Sequence, residues 1–449
     1  MHKPYKIALI ADTHYYSPKL GTEGEAYRLR SSSDQKCLAQ SGSVLDEAFD
    51  KIAKSGADAL LIAGDLTNNG ERDSHEELRE KLYALQKKVP VYVLTATHDW
   101  CSDGKNNRYD GAEIRKDVRV LRAAELADFY KDFGPAEAVA SYTTPFKAVS
   151  YAVDPVPGVR LLLLNDDRNG RGRAGFPEEH LQWIEAQIRD ARQRGMCLLA
   201  AQHHPVIAPI HPFLTGGNCC GEREEIVSRF ADAGLRVLVT GHLHMQDLQT
   251  AVSAAGNPLT EIALGAMCGI PGNIVYAELT ENAVRLSVEP LTQSRAILEQ
   301  QTFGILTHVL DSAKENKAVF AKQMEALQAP KLSVLYPFAR KWAFRMDTMT
   351  VAEAYKTLRR ETLGLLPKIS TENVEQIPLR DAVREVFLSI FGEGLEWTPE
   401  HALYGVVLSV FSMPQRLLPR SKTCRRLRES GEALLQKKKL HGVSVDISR

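Results

Sequence analysis

An α/β unit followed by a mostly α-helical C-terminal region is the fold class that this 449-residue sequence predicts. Over residues 1–290, short apolar runs alternate with segments of helical period. Several of those runs are apolar throughout, as strands covered on both faces by helices tend to be. From about Ser294 the period turns helical and stays so.

Strands are expected at 6–11, 59–63, 91–95, 150–153, 160–165, 197–202 and 237–240, with helical patterns at about 43–55, 73–88, 122–132, 177–194 and 222–233. Pro177 suits the first turn of the fourth helix, because its missing N–H has no intrahelical acceptor there. After Gly241 the pattern reads as a β meander at 260–264, 274–279 and 284–290. The remainder predicts helices at 295–326, 348–366, 377–391, 399–413 and 422–438, broken by Pro330, Pro337, Pro367, Pro378 and Pro414. A boundary near 290 divides the chain into units 1–290 and 291–449. There is no internal repeat and no low-complexity tract.

The length calls for two or three domains. A composition of 44% hydrophobic and 25% charged residues is that of a globular protein. Fifty-six basic side chains balance 56 acidic ones, which argues against a surface tuned for nucleic acid. No apolar stretch is long enough for a signal peptide or a membrane span. The seven cysteines are odd in number and lack Cys-x-x-Cys spacing, so reduced thiols in a cytoplasmic protein are expected.

Five segments carry chemistry, each at the end of an apolar run: Asp12-Thr13-His14, Gly64-Asp65, Thr97-His98-Asp99, His203-His204-Pro205 and Gly241-His242-Leu243-His244. Taken singly, most have an ordinary reading. Asp12 could cap a helix, Asp65 could form a turn, and the histidines could be satisfied core residues. Gly241-His242-Leu243-His244 is the strongest alone, since two histidines two apart on a loop can reach different metals. Their joint placement at strand ends is what makes them one site. The glycine of Gly64-Asp65 lets the backbone approach a metal centre closely.

These motifs resemble the calcineurin-like metallophosphoesterase family, whose pattern is Asp-x-His, Gly-Asp-x-x-Asp/Asn, Gly-Asn-His-Asp/Glu, a lone His, then Gly-His-x-His. The resemblance spans about residues 5–290, with Asn68 completing the second motif. Gly64-Asp-Leu-Thr-Asn-Asn-Gly70 looks like the phosphodiesterase-type branch. It implies a four-layer α/β/β/α sandwich of mixed sheets. It also implies a dinuclear centre in which Asp12, His14 and His244 hold one metal, His203 and His242 hold the other, and Asp65 bridges. Mixed O/N ligation suits Mn, Fe or Zn. The implied reaction is hydrolysis of a small-molecule phosphate ester, expected to be a diester, by attack of a metal-bridging hydroxide. His98 would protonate the leaving group or donate to transition-state oxygens, and Asp99 would orient it. A phosphomonoesterase or nucleotidase shares the same centre, and a non-catalytic scaffold with a degenerate second site is the remaining alternative.

One position departs from the family. Ala96-Thr97 stands where the pattern has Gly-Asn, so a threonine hydroxyl replaces an amide as ligand to the second metal. Thr97 is then a weak ligand, and the second metal is expected to be labile unless Asn68 or His204 reaches in. Substrate contacts are expected from His204, Arg108 and Asn68. Further candidates are Lys105, Asn106 and Asn107 of the loop after His98, and His211. Arg168, Arg171 and Arg173 read as a surface turn.

The last 34 residues hold ten Lys/Arg against three Asp/Glu, just after the uncharged apolar stretch 402–411. Such a pair suits peripheral contact with an anionic membrane surface, though it is more often a core helix beside a solvated basic one.

Overall fold

The computed structural model describes residues 3–327, 330–392, 398–437 and 439–448. Strand β1 (Tyr5–Ile10) leads through helices α1 (Gly24–Ser31) and α2 (Ser41–Lys54) to β2 (Ala59–Ala63), and α3 (Arg72–Gln86) leads to β3 (Val91–Leu94). A hairpin of β4 (Arg108–Asp110) and β5 (Glu113–Arg115) is followed by α4 (Ala123–Phe129). Then come β6 (Ala140–Thr143), β7 (Val149–Val156), β8 (Val159–Leu163), α5 (Glu178–Gln193) and β9 (Cys197–Ala201). The short α6 (Pro212–Thr215) and α7 (Arg223–Ala233) precede β10 (Val237–Thr240). Two hairpins follow, β11 (Asp247–Val252) with β12 (Pro258–Ala263) and β13 (Asn273–Leu279) with β14 (Ala283–Pro290).

These strands form two mixed sheets. One runs β14-β13-β1-β2-β3, with β1, β2 and β3 parallel and β13 antiparallel to β1. The other runs β11-β12-β10-β9-β8-β7-β6, with β12, β10, β9 and β8 parallel. Alternation of side chains along each strand builds the layers. Ile7, Leu9 and Leu61 point inward and meet Leu161, Leu199 and Val239 of the other sheet. Ala8, Ile10, Leu60 and Ile62 point outward to Val44 and Phe49 of α2 and Leu78 and Leu82 of α3. On the far side Leu162, Leu198 and Leu238 pack under Ile184 and Ile188 of α5 and Phe230 of α7. Helices, sheet, sheet and helices make the four-layer α/β/β/α sandwich. Both faces of each inner strand are dry, which is why 59–63 and 197–201 are apolar without alternation.

The expected meander after Gly241 is divided between the sheets. β12 pairs parallel to β10 in the second sheet, whereas β13 and β14 cross to the first. Past β14 the chain is helical: α8 (Arg295–Glu315), α9 (Lys317–Ala326), α10 (Tyr336–Met346), α11 (Val351–Glu361), α12 (Leu379–Phe391), α13 (Tyr404–Leu417) and α14 (Lys422–Leu435). The segment expected as one helix at 295–326 is broken at Asn316, whose extended backbone and side-chain oxygen cap α9. Pro414 was expected to end its helix but lies inside α13. It stands in the last turn, where the missing N–H removes a single bond. Helix α10 was not foreseen, and Lys438, the end of the expected 422–438 helix, lies outside the described residues.

Among the described residues no helix is long and apolar enough to cross a membrane. The apolar side of α13 instead joins Leu403 and Val407 to Val351, Ala382 and Leu435 of its helical neighbours. All seven cysteines are free thiols.

The chain then returns to its first half. Strand β15 (Ser444–Asp446) pairs antiparallel with β14 at the edge of the first sheet. Leu440 and Ile447, on either side of it, enter the core between the sheets. Leu440→Ala should therefore destabilise the sandwich itself by about 2–4 kcal/mol. Urea denaturation followed at the sheet core checks this; an unchanged midpoint would mean that the C-terminal strand adds nothing to the sandwich.

Candidate metal centre

The five chemical segments emerge together where parallel strands β1, β2 and β3 of one sheet and β9 and β10 of the other end. That is where open parallel sheets leave a crevice for ligands. Beyond the strands, Asp12 N donates to Gly64 O (3.1 Å), His14 N to Asp65 O (3.0 Å) and Tyr15 N to Leu66 O (2.9 Å). The first two segments therefore run side by side. The second sheet is tied in by Gly241 N donating to His203 O (2.9 Å) and His242 N donating to the Asp12 carboxylate (3.0 and 3.2 Å).

Five residues here hold the left-handed backbone that L-residues avoid: Asp12 (φ 53°), His14 (39°), Asp65 (51°), His242 (72°) and His244 (58°). Each such turn costs roughly 1–3 kcal/mol, and together they fold five side chains onto one point. The flanking glycines are required by space. A Cβ on Gly64 would stand 2.6 Å from the His203 Nδ1, and one on Gly241 would stand 2.6 Å from Asp12 Oδ2.

Potential ligand atoms fall into groups lying within 4.8 Å of one another: Asp12, His14 and His244; Asp65, His203 and His242; and His14, Asp65 and His98. Asp65 Oδ2 faces both sides, 3.0 Å from His203 Nε2 and 3.7 Å from His14 Nε2. Asp12 Oδ1 lies 3.4 Å from His244 Nε2 and 3.8 Å from His14 Nε2. The nitrogens fit a bound cation. His14 Nε2 and His244 Nε2 approach to 3.1 Å, and His203 Nε2 turns to the Asp65 carboxylate at 3.0 Å. His203 Nδ1 donates to Ala63 O (2.9 Å), so its other nitrogen is the one offered to the centre.

Charge tells the same story. Burial opposes ionisation of Asp65, yet the imidazoles of His203, His98 and His14 hold it well below the usual carboxylate range. Burial likewise opposes a charged His203, but Asp65, Asp12 and Asp166 outweigh it and push the imidazole up to about 10. Positive charge is favoured between these carboxylates, and a metal ion supplies it as well as a proton does.

His98 sits on the open side of this group, with 29% of its side chain exposed and Nε2 4.0 Å from Asp65 Oδ2. Its Nδ1 donates to Asn68 O (2.6 Å) and Asn69 Oδ1 (2.8 Å). Asp99 does not orient this ring, contrary to the sequence expectation. Its oxygens accept from Thr67 N (3.0 Å) and Ala96 N (2.8 Å), which ties the second segment to the third. A main-chain carbonyl took the role assigned to a carboxylate. Asp99 is pushed up by burial and by Asp65.

The family model for calcineurin-like phosphoesterases matches residues 5–246. The chain belongs to the calcineurin-like phosphoesterase family. It is a metallophosphoesterase enzyme, of a family that works through a dinuclear metal centre. A Rhodococcus erythropolis protein named "Probable cyclic nucleotide phosphodiesterase" is 24% identical over 257 residues, which are 56% of this chain and 67% of that protein. An Arcobacter nitrofigilis protein named "Probable glycerophosphodiester phosphodiesterase GpdQ" is 23% identical over 216 residues, 47% of this chain and 67% of that one. Among solved structures, a dimetal phosphatase from Danio rerio superposes with a TM-score of 0.45 at 15% identity, covering 65% of this chain and 98% of that one.

The remaining nominees of the sequence are placed as follows. Thr97 is half-buried, and its carbonyl accepts from Ser102 N (3.1 Å). Asn68 gives its amide N–H to Glu71 (3.2 Å), and its Oδ1 is buried with no partner among the described residues. His204 packs its ring 4.1 Å from that of His242 and is held at Nδ1 by Asp166 (3.1 Å). Arg108 does not join this group. Its guanidinium is engaged by Asp117 (2.7 and 3.0 Å), two residues past β5, where the returning hairpin brings a nearer carboxylate than any substrate. Lys105 pairs with Asp103 (3.2 Å), Asn106 with the carbonyls of Lys116 and Val118, and His211 with Ser430 (3.2 Å) of α14. Arg168 and Arg173 meet Glu222 on a turn shaped by Asp167 and Asn169.

Two supports had no sequence signal. Gln35 Nε2 lies 2.7 Å from His244 Nδ1, while Gln35 Oε1 is buried without a partner among the described residues. With the amide turned over, its oxygen accepts from Nδ1–H, which places the proton there and frees Nε2 for a cation. Glu261 of β12 accepts from Val206 N (2.9 Å), Ile207 N (2.7 Å) and the Thr240 hydroxyl (2.8 Å), stapling the loops after β9 and β10.

Burial pushes Glu261 up to about 7. An acid raised in the fold lends stability below its unfolded pKa of about 4.5 and loses it as pH rises to 7. Glu261→Gln keeps an acceptor for the two amides and a donor for Thr240, so it should gain about 2–3 kcal/mol on wild type between pH 5 and 8. Urea midpoints of both proteins at the two pH values check this; parallel pH dependence would contradict it.

Proposed function

We propose that this chain is a two-metal phosphodiesterase acting on a small-molecule phosphate ester. The observation that carries the reading is the position of Asp65 Oδ2, which faces His14 on one side and His203 on the other. Asp12, His14 and His244 would hold one ion, His203 and His242 the other, and Asp65 both. Manganese, iron or zinc fits this mixed donor set. When bound, such a pair supplies charge neutralisation at the phosphoryl group and a hydrolytic nucleophile at neutral pH. The preference for diesters is supported by the names of the two relatives, both phosphodiesterases. Thr97 in place of the family's asparagine leaves the second ion with fewer strong donors, and we take that ion to be labile.

The protein's own part is to orient the ester and move a proton. With Nδ1 committed to Asn68 O, His98 directs Nε2 toward the centre. Burial and the charge of Lys36 hold its imidazole down to about 4, so the free protein keeps Nε2 unprotonated at neutral pH. A phosphate anion beside the ring opposes both effects and favours the imidazolium. The proton on Nε2 is then available to the departing alkoxide. The nine-tenths-buried ring of His204, fixed by Asp166, lines the His242 side of the substrate space.

Hydrolysis of bis(p-nitrophenyl) phosphate with added Mn²⁺ tests the reaction. Activity abolished by Asp65→Ala and a diester rate above that of p-nitrophenyl phosphate are expected; a monoester rate that exceeds it would reassign the enzyme as a phosphomonoesterase. His98→Ala should slow a methyl p-nitrophenyl diester far less than a dialkyl one, for which the loss is about a hundredfold or more. Equal losses on both would remove His98 from leaving-group protonation.

A further inference from the structure

Lys36 lies in the loop between α1 and α2, outside every motif that marks the metal centre. Only 9% of it is exposed. Among the described residues its ammonium has no carboxylate within ion-pair distance and no hydrogen-bond acceptor. The nearest acid in sequence, Asp34, accepts the Lys36 backbone N–H (3.0 Å) and is already paired with Arg30 (2.5 Å). A nearly buried lysine stem whose ammonium engages no group among the described residues leaves that charge available to a ligand.

Its two neighbours place it. Gln35 contacts His244 Nδ1 (2.7 Å). Cys37 N donates to Cys268 O (2.7 Å), and Cys268 N lies 3.4 Å from Asp12 O. Lys36 is therefore held between two attachments to the ligand-bearing segments. Its ammonium lies near enough to both His14 and His98 for its charge to reach each ring. Those rings meet edge to face at 4.8 Å, on the side where His98 opens to solvent. The loop is itself braced by the helical region. Gln301 donates to Ser31 O (2.8 Å) and Asp34 O (2.7 Å), and Gln323 donates to Ser32 O (3.1 Å).

We propose that Lys36 is the phosphate-binding cation of this site, its ammonium contacting a phosphoryl oxygen of the bound ester. The inference rests on the two-metal reading. Lysine serves such a contact as a compact point charge with three donors. It fills the place for which Arg108 and Lys105 were nominated, both of which have carboxylate partners of their own. The partner missing from the protein is then the substrate.

Inorganic phosphate is the probe, titrated calorimetrically into the manganese-loaded full-length chain. Lys36→Met and Lys36→Gln should each weaken phosphate binding at least about tenfold, while Lys36→Arg retains most of it. Manganese stoichiometry should be the same in all four proteins, and the thermal midpoint without phosphate should not fall in Lys36→Met, since the ammonium has no ion pair or hydrogen bond among the described residues to lose. Unchanged phosphate affinity in Lys36→Met and Lys36→Gln, with manganese still bound, would overturn the assignment of Lys36 alone. A wild-type chain that takes up no manganese would overturn the two-metal reading and this inference with it.

Discussion

Two carboxylates buried where the sheets meet, Asp12 and Asp65, are the constraint on which the rest of the centre depends. No lysine or arginine forms an ion pair with either among the described residues; the groups at ion-pair distance are imidazoles. An uncompensated buried ion costs several kcal/mol. Five left-handed residues, these two acids among them, add on the order of 5–15 kcal/mol, comparable with the whole net stability of a domain. A fold carries such a burden only where something offsets it. Here the backbone hydrogen bonds between the segments offset part, and on the proposed reading cations held by the carboxylates and imidazoles would offset the remainder.

The sandwich makes that arrangement rigid. Parallel strands from both sheets end on one edge, so no ligand depends on a long loop for its position. The helical region adds support from behind. Phe391 O at the end of α12 accepts Gln246 N (2.8 Å), two residues past His244. Gln301 and Gln323 brace the loop that carries Gln35 and Lys36, and Ser430 and Glu429 of α14 meet His211. Strand β15 closes the circuit by joining the first sheet. The helices are thus built around the centre at three points, which gives them a physical connection to the chemistry.

The chemical segments were legible in the sequence because each follows a dry strand, and a dry strand announces itself by composition. The inner strands at 59–63 and 237–240 are placed to the residue for that reason. Pairing order was not legible, since nothing local distinguishes β12 from β13 as partner of one sheet or the other. Strand β15 has only three residues, two of them exposed, and its membership comes from Leu440 and Ile447 around it. The role of Asp99 was misread because sequence adjacency to His98 suggested contact, whereas the tight turn points the carboxylate back at two backbone amides. Arg108 failed for a different reason: a hairpin partner at Asp117 cannot be anticipated from residue type. Gln35 and Lys36 left no trace because one glutamine and one lysine in a polar loop look like solvent-facing residues until burial is known.

The central claim is that Asp65 serves two cation sites at once. Calorimetric titration of the metal-free chain with Mn²⁺, for wild type and for Asp65→Asn, tests it most directly. Wild type should show two binding events of unequal affinity, with both weakened together by the single substitution. One event alone in wild type, or a substitution that weakens one event and leaves the other intact, would contradict it.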